Sequence, residues 1–305
     1  MSFDVKNLKL FIRAATLGAI GRAGAEFNLS STNATQRIKA LEADLGVKLF
    51  NRTTRAISLT SDGEIFLEHA KRIISEIEDA QNALSKTTKT VSGHLRVTTS
   101  ASFARSHIIP FIPAFFNQYP DVTLDLNLTD TIVDIVEQGY DVAFRIGELV
   151  PSSLLAQRID DNPQALVATP EYIAKNGMPE TPQDLLHHTC LPLGETRLWR
   201  LVDENGVEHE TRVDGPLKVN LGDAVGALVL SGMGIGFTAL WHSGPDLASG
   251  RLIRVLPNYR LAPETKIWAV RPPGRSMPAR VKAFLDFMQA RIVETNKSRY
   301  GYLDI

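Results

Sequence analysis

Two neighbouring stretches near the N-terminus carry side chains suited to a polyanion. Between Leu45 and Thr60 the cations Lys48, Arg52 and Arg55 and the hydroxyl residues Thr53, Thr54, Ser58 and Thr60 are interleaved with apolar residues. A hairpin of that composition presents charge and hydrogen-bond donors on one side, as a β-wing does to a phosphate backbone. Just upstream, Ser31, Thr32, Asn33, Thr35, Gln36 and Arg37 are short or bidentate hydrogen-bonding side chains of the kind that read base edges in a major groove. Alone, that polar run also fits a solvated helix face; the basic hairpin after it favours DNA.

The elements that must position these residues follow from spacing. Leu8, Phe11, Ala14 and Ala15 recur at helical intervals, so Val5 to Leu17 reads as an amphipathic first helix closed by Gly18. A second segment, Ile20 to Phe27, is locally weak: Gly21 and Gly24 each cost about 1 kcal/mol relative to alanine, and Ala19 cannot cap. Ser30 offers an N-cap to a third helix whose Ala34, Ile38, Leu41 and Leu45 bury one face. Ser61-Asp62-Gly63-Glu64 then has capping-box spacing, with Thr60 as a competing cap.

Behind that cap, Phe66, Ala70, Ile73, Ile77, Ala80 and Leu84 alternate steps of four and three, a heptad seam on a helix of about 26 residues and roughly 39 Å. A two-chain coiled coil would use the seam and place two recognition helices on a two-fold DNA site; the alternative is a helix packed on its own domain. Ser85 to Ser92 is polar, and Gly93 breaks the pattern, marking an inter-domain hinge.

At 305 residues the chain exceeds one small module, and 44% hydrophobic residues support globular cores. No apolar run reaches the roughly 18 residues of a membrane helix, and Met1-Ser2-Phe3-Asp4 lacks a signal-peptide core, so a cytoplasmic protein with no membrane partner is expected. The single cysteine, Cys190, forbids an internal disulfide. Net charge is −1 overall, yet residues 1–60 hold nine Lys or Arg against four acids, leaving −6 on the remainder. A basic head on an acidic body points to a polyanion-binding module attached to something else.

From His94 onward the pattern alternates. Strands are expected at Leu95–Thr99, Val122–Leu128 and Asp141–Ile146, with helices around Phe111–Gln118 and at Ile132–Glu137. A second set follows Leu166: Pro170–Lys175, Pro182–His187, Leu217–Asn220, Asp223–Leu230 and Ile235–Ala239. Thr265–Val270 would return the chain to the first lobe, where Val281–Ile292 docks as a final helix. The alternation predicts α/β units with a parallel sheet.

Taken together, Leu41-Glu42, Leu45-Gly46, Leu49-Phe50, Arg52-Thr53 with Arg55, and Leu59-Thr60 with Gly63 resemble the winged helix-turn-helix of LysR-type transcriptional regulators. The body is similar too, through Gly93-His-Leu-Arg-Val97, Tyr119-Pro120, the run from Asp141 to Gly147, and Gly232-Met-Gly-Ile-Gly236, so the likeness covers residues 5 to about 293. The Asp141–Gly147 run and the His188–Leu191 stretch look most like the subgroup that holds regulators of aromatic-acid efflux and malate use. The chain differs from the usual pattern at Ala19, Gly24 and Ser31-Thr32, where the family commonly has Ser, Ala and Gln-Pro.

The resemblance implies an N-terminal winged helix-turn-helix (1–60), a linker and dimerisation helix with hinge (61–92), and an α/β effector domain of the periplasmic-binding-protein type (93–305). Its first lobe would be about 93–166 and 265–293, its second about 167–264. DNA contacts carried over to this chain are Ser31, Thr32, Asn33, Gln36 and Arg37 at base edges and Lys39, Arg52, Thr53 and Arg55 at phosphates; the alternative for Arg52 is a salt bridge within the wing. Family geometry puts the effector between lobes, near Ser100, Ser102, Phe103, Arg145, Gly147, Asn220, Gly222 and Asp223. Hydroxyls, helix-start N–H groups and Arg145 suit a small organic acid. Alternatively, Ser100 and Ser102 cap the next helix and Arg145 pairs with Asp141 or Asp160, while Asp223 would disfavour an anion nearby.

The partners implied are double-stranded promoter DNA, an organic acid, a second copy in a homodimer or homotetramer, and RNA polymerase at the promoter; no cofactor is implied. A rival class is an α/β enzyme or solute-binding domain with a nucleic-acid anchor. No catalytic Ser/His/Asp or paired-carboxylate set is readable from spacing. His187, His188 and Cys190 do not make a metal cluster, because adjacent histidines point apart. Gly232–Gly236 falls after a helix and before a strand, the reverse of a dinucleotide site, so it reads as a tight turn.

Overall fold

The computed structural model describes residues 4–52, 57–84, 91–274 and 277–301. They form two compact units, Met1–His94 and Leu95–Ile305, here called head and body.

The head opens with α1 (Val5–Leu17), α2 (Ile20–Glu26) and α3 (Ser31–Leu45). Asp4 caps α1 by accepting from the Lys6 N–H, and Ser30 caps α3 by accepting from the Asn33 N–H. Gly18 and Gly46 close these two helices in the left-handed conformation. No side chain caps α2, so packing holds it: Gly24 lets α2 approach α3 so closely that a Cβ there would lie 2.5 Å from the Ala34 Cβ. The helix penalty of Gly24 is offset by that close contact. Leu8, Phe11, Ala14, Ala23, Ala34, Ile38 and Leu41 form the core.

The wing is a hairpin of β1 (Phe50–Arg52) and β2 (Ile57–Leu59), antiparallel with Phe50 opposite Leu59. It runs into α4 (Ser61–Leu84). Thr60, not Ser61, caps α4: its Oγ1 accepts from the Gly63 N–H at 2.9 Å and donates to the Lys48 carbonyl at 2.6 Å. The cap thereby ties α4 to the segment that leads into β1. Gly63 is required here because a Cβ would sit 2.1 Å from the Leu49 carbonyl oxygen.

The expected seam of α4 divides between two duties. Ala70 is buried in the head core with Ile74, and Phe66 packs against Phe11 with ring centroids 5.4 Å apart. Ala70 is therefore corrected to a head-core residue, while Phe66 is half-buried against that core. The outward apolar stripe is Ile65, Ile73 and Ala80 with half-buried Ile77 beside it. Leu84 ends the helix, and its side chain and residues 85–90 of the expected hinge lie outside the described residues.

In the body, one sheet has the order β4-β3-β5-β13-β6, built from β3 (Gly93–Thr99), β4 (Val122–Leu128), β5 (Val142–Gly147), β6 (Leu155–Asn162) and β13 (Thr265–Arg271). Between β3 and β4 the chain coils through α5 (Ala101–Phe103), a π-helical turn Ala104–Ile108, a 3-10 turn Ile109–Phe111 and α6 (Ile112–Gln118). The expected parallel sheet is mixed. β3 and β5 run parallel, but β13 returns from the other lobe antiparallel to both β5 and β6.

The second lobe holds β7 (Gln164–Ala168), α7 (Pro170–Asn176), a 3-10 turn Pro182–His187, β8 (Leu198–Val202), β9 (Glu208–Arg212), α8 (Gly222–Leu230), β10 (Gly236–Ala239), α9 (Leu240–Ala248), β11 (Ile253–Val255) and β12 (Arg260–Ala262). Its sheets have the orders β10-β7-β11 and β12-β8-β9. The helix α10 (Ala279–Tyr300) closes the first lobe and runs beyond the expected end at Ile292.

Two further expectations are corrected. Ile132–Glu137 is not a helix: residues 132–134 are irregular, and Asp134, whose Oδ1 accepts from the Val136 and Glu137 N–H groups, starts a single turn that Gly139 ends in the left-handed conformation. Leu217–Asn220 is irregular apart from a single bridge between Val219 and Leu193; Pro216 just before it has no N–H to give a sheet.

Candidate functional site

On α3, the side chains of Thr32, Asn33, Gln36 and Lys39 are exposed, and Thr32, Gln36 and Lys39 recur at helical spacing in one stripe with Asn33 beside it. Ser31 is exposed but leans on α2, its Oγ 3.0 Å from where a Gly21 Cβ would be. Arg37 lies on the flank, half-buried, 4.0 Å from Asp4 Oδ2. In the wing, Arg52 ends β1 opposite Ile57, while Thr53 and Arg55 lie outside the described residues.

Sequence reasoning took Glu42 only as part of a motif, and its role is mechanical. Glu42 is 3% exposed, and its Oε1 accepts from the backbone N–H groups of Leu49 at 2.9 Å and Phe50 at 3.3 Å. A buried carboxylate with two backbone donors fastens α3 to the start of β1. Its signal was an acid next to Leu41 on the apolar face of the helix.

In the body, a cleft of about 890 Å³ opens between the two lobes. Ser100, Ser102, Arg145, Gly147, Asn220, Gly222 and Asp223 all line it. Phe103 does not: it is fully buried, stacked on His107 at 4.6 Å and edge-on to Trp241, and is corrected to a core residue beneath the cleft. Its apolar ring suits that core better than a polar wall. Ser100 does cap the following helical segment, accepting from the Phe103 N–H at 3.4 Å. Arg145 pairs with neither Asp141 nor Asp160; its Nη2 donates to the Val133 carbonyl at 3.0 Å. Asp223 is matched across the cleft by Arg105 of the first lobe at 2.9 Å, which offsets its charge.

Three lining groups were not foreseen. Thr99 Oγ1, Thr238 Oγ1 and Trp199 Nε1 are buried and lack a hydrogen-bond partner in the structure. Buried donors and acceptors left open on one cavity are what a polar ligand satisfies. No sequence signal brings Thr99, Trp199 and Thr238 together, since each comes from a different strand. His242 also lines the cleft; burial holds its pKa below the ordinary imidazole value, with Asp223 and Asp246 acting in the opposite sense.

The lobes are joined where two strands pass between them, at Asn162–Gln164 and at Ala262–Thr265. Asn162 binds both crossings and the second lobe together: its Nδ2 donates to Thr265 Oγ1 at 2.8 Å and its Oδ1 accepts from Trp241 Nε1 at 2.7 Å. Under this crossing His107 is fully buried, its Nε2 donating to Asn296 Oδ1 at 2.8 Å, and Asn296 donates to Asp160. Burial lowers the pKa of His107 to about 4, so the ring is neutral at ordinary pH.

Elsewhere, His188 Nδ1 faces the Tyr172 hydroxyl at 3.3 Å, and burial pushes the Cys190 thiol up to about 12. No group of three or more His, Cys, Asp or Glu among the described residues is placed to hold a metal. Among the described residues no helix is long and apolar enough to cross a membrane.

Comparison with known proteins agrees with this division. Residues 5–64 match the model of the bacterial regulatory helix-turn-helix protein, lysR family, and residues 88–292 match the LysR substrate binding domain. The HTH-type transcriptional regulator DmlR of Escherichia coli (strain K12) is 31% identical over 294 residues, covering 95% of both chains. The HTH-type transcriptional regulator PtxR of Pseudomonas aeruginosa is 35% identical over 295 residues, covering 95% of this chain and 93% of PtxR. Among solved structures, CrgA, a LysR-type transcriptional regulator from Neisseria meningitidis, superposes with a TM-score of 0.59 at 28% identity, covering 95% of this chain and 99% of that one.

Proposed function

The chain belongs to the LysR family of bacterial transcriptional regulators, and on that premise we propose the division of labour among its residues. It is a DNA-binding regulator with a ligand-binding body, not an enzyme. Thr32, Asn33 and Gln36, with Ser31 and Arg37 at the flanks, read base edges, and Lys39 with the wing residues Arg52, Thr53 and Arg55 meets phosphates. The exposed stripe of α3 supports this reading. Two copies pair through the outward face of α4, where Ile65 and Ile73 are 62% and 37% exposed in the single chain. An aspartate at Ile73 is expected to weaken self-association at least tenfold by analytical ultracentrifugation. The protein acts in the cytoplasm, at promoter DNA and alongside RNA polymerase.

The effector is a small organic acid held between the lobes. Its oxygens would accept from Trp199 Nε1 and the hydroxyls of Thr99, Thr238 and Ser102, near the first turn of α8, which has no side-chain cap. The observation that carries this reading is the set of unpartnered buried groups contributed by both lobes to one cleft. A ligand that joins them favours one lobe arrangement and so biases how paired heads sit on, and bend, DNA.

The test is fluorescence anisotropy of the full protein on the intergenic DNA beside its own gene, against a non-specific duplex, at two salt concentrations and with a panel of organic acids. Specific binding altered by one acid is expected. Equal, salt-sensitive binding to every duplex would reduce the head to a non-specific anchor.

A further inference from the structure

We infer that the acid recognised by this cleft is a monocarboxylate with an apolar body, and that compact hydrophilic dicarboxylates are excluded; the inference rests on the effector-cleft reading above and narrows it. Three observations converge on it.

The first is where the chain leaves apolar side chains in water. Ile132 is 78% exposed, Val150 82%, Leu198 42% and Ile146 38%, and all four line this one cleft. Ile132 and Val150 stand on loops of the first lobe and Leu198 opens β8 of the second, so both lobes contribute apolar residues to the lining. Scattered exposed apolar residues mean little, but those gathered around one cavity mark the surface a ligand covers. A four-carbon diacid would fill a minor part of about 890 Å³ and leave these walls wet.

The second is the charge inventory of the lining. Arg200 is engaged by Glu210 at 2.9 Å and Glu208 at 3.6 Å, and Asp223 by Arg105. Arg145 makes a backbone hydrogen bond to Val133 and no ion pair, so it keeps its charge for a ligand. Against it, the lining carboxylates Asp130 and Glu148 form no ion pair among the described residues either. Apart from Arg145 the lining offers His242, whose pKa burial holds below the ordinary imidazole value, so one acidic head is matched by a full charge here, whereas a second would meet two carboxylates.

The third is the floor. Thr99 and Thr238 are 3% and 4% exposed and Trp199 1%; all three are among the lining residues, and each has a buried polar atom without a hydrogen-bond partner among the described residues. An indole N–H and two hydroxyls can all donate to the two oxygens of one carboxylate. The lining thus combines hydrogen-bonding residues from both lobes with exposed apolar ones.

The experiment is thermal-shift analysis of the full chain at neutral pH with equal millimolar phenylacetate, isovalerate, succinate, malate and phenethylamine, repeated on Val150→Asp, on Leu186→Asp as a control outside the cleft, and on Thr99→Val. Phenylacetate or isovalerate is expected to raise the melting midpoint, and the other probes to leave it in place. Val150→Asp should weaken apparent affinity for the monoacids roughly tenfold, Thr99→Val should weaken it also, and Leu186→Asp should leave it unchanged. A shift with succinate or malate that survives Val150→Asp and is lost in Thr99→Val overturns the inference while leaving the cleft as the effector site. Stabilisation by phenethylamine in place of the acids overturns it through the charge argument. No shift with any acid overturns it together with the organic-acid reading.

Discussion

In the head, the proposed DNA-reading side chains come from one helix and are spaced by its own geometry, whereas in the body the cleft floor unites Thr99, Trp199 and Thr238 from three strands and both lobes. The head needs only to hold α3 steady. It does so with backbone-level fastenings: Glu42 on the N–H groups of Leu49 and Phe50, Thr60 on Lys48 and Gly63, and a glycine where α4 meets the Leu49 carbonyl. The body's lobes are joined by side-chain hydrogen bonds at Asn162, by an ion pair between Arg105 and Asp223, by Arg299 donating to the Trp241 carbonyl, and by the close approach of α9 to α10 at Gly244. The reader is thus fastened around a single helix, and the sensor across two lobes.

The sharpest way to break that contrast is at Glu42. Glu42→Ala leaves two buried N–H groups open and is expected to destabilise the head by about 3–4 kcal/mol. Hydrogen exchange should show lost protection at Leu49 and Phe50 with β13 unchanged; equal loss in both units would mean that the fastening is not local. Acid acts on the body instead. Because the folded pKa of His107, about 4, lies below the unfolded value near 6.5, the unfolded chain binds the extra proton between these values. Stability is fully present above about pH 6.5 and declines toward pH 4, by on the order of 3 kcal/mol. His107→Gln should flatten that slope in pH-dependent unfolding of the body.

Asn162→Ala strips Trp241 Nε1 of its acceptor and Thr265 Oγ1 of its side-chain donor, leaving Thr265 its bond to the residue 162 carbonyl, and a loss of about 2 kcal/mol is expected, read as faster exchange on β7 and β13 with α3 untouched. The smallest effects separate reading from anchoring. Gln36→Ala should lose roughly 1–3 kcal/mol of discrimination between operator and non-specific DNA, while Lys39→Ala should weaken both duplexes alike and reduce the salt slope by about one. If Lys39→Ala changed discrimination and Gln36→Ala did not, the two roles assigned on α3 would be reversed.

The same contrast explains what could be read from the residues alone. Head helices depend on neighbours three and four apart, so Leu8, Phe11, Ile38 and Leu41 announced them, and Gly18 and Ser30 announced their ends. The single turn that follows Asp134 was missed because the left-handed stop at Gly139 is something that apolar spacing does not record. β6 escaped notice because Gln157, Arg158, Asp160 and Asp161 give it no apolar alternation, and α9 because Gly244 and Pro245 look like breakers. Gly244 is there for space, since a Cβ would lie 2.5 Å from the Arg299 carbonyl oxygen. Seven of the eight expected effector positions line the cleft, since strand ends and helix starts are fixed locally. The unpartnered floor was invisible because orphaned atoms are a property of packing and not of pattern.

The central claim is that a ligand on groups from both lobes changes what a separate, rigid helix does on DNA. Its most direct test is operator affinity of the full protein, by anisotropy, for the native chain and for Thr99→Val/Thr238→Val, each with and without phenylacetate. The account predicts equal operator binding without the acid, a change of affinity with it in the native chain, and no change in the variant. An acid response that persists undiminished in the double variant would contradict it.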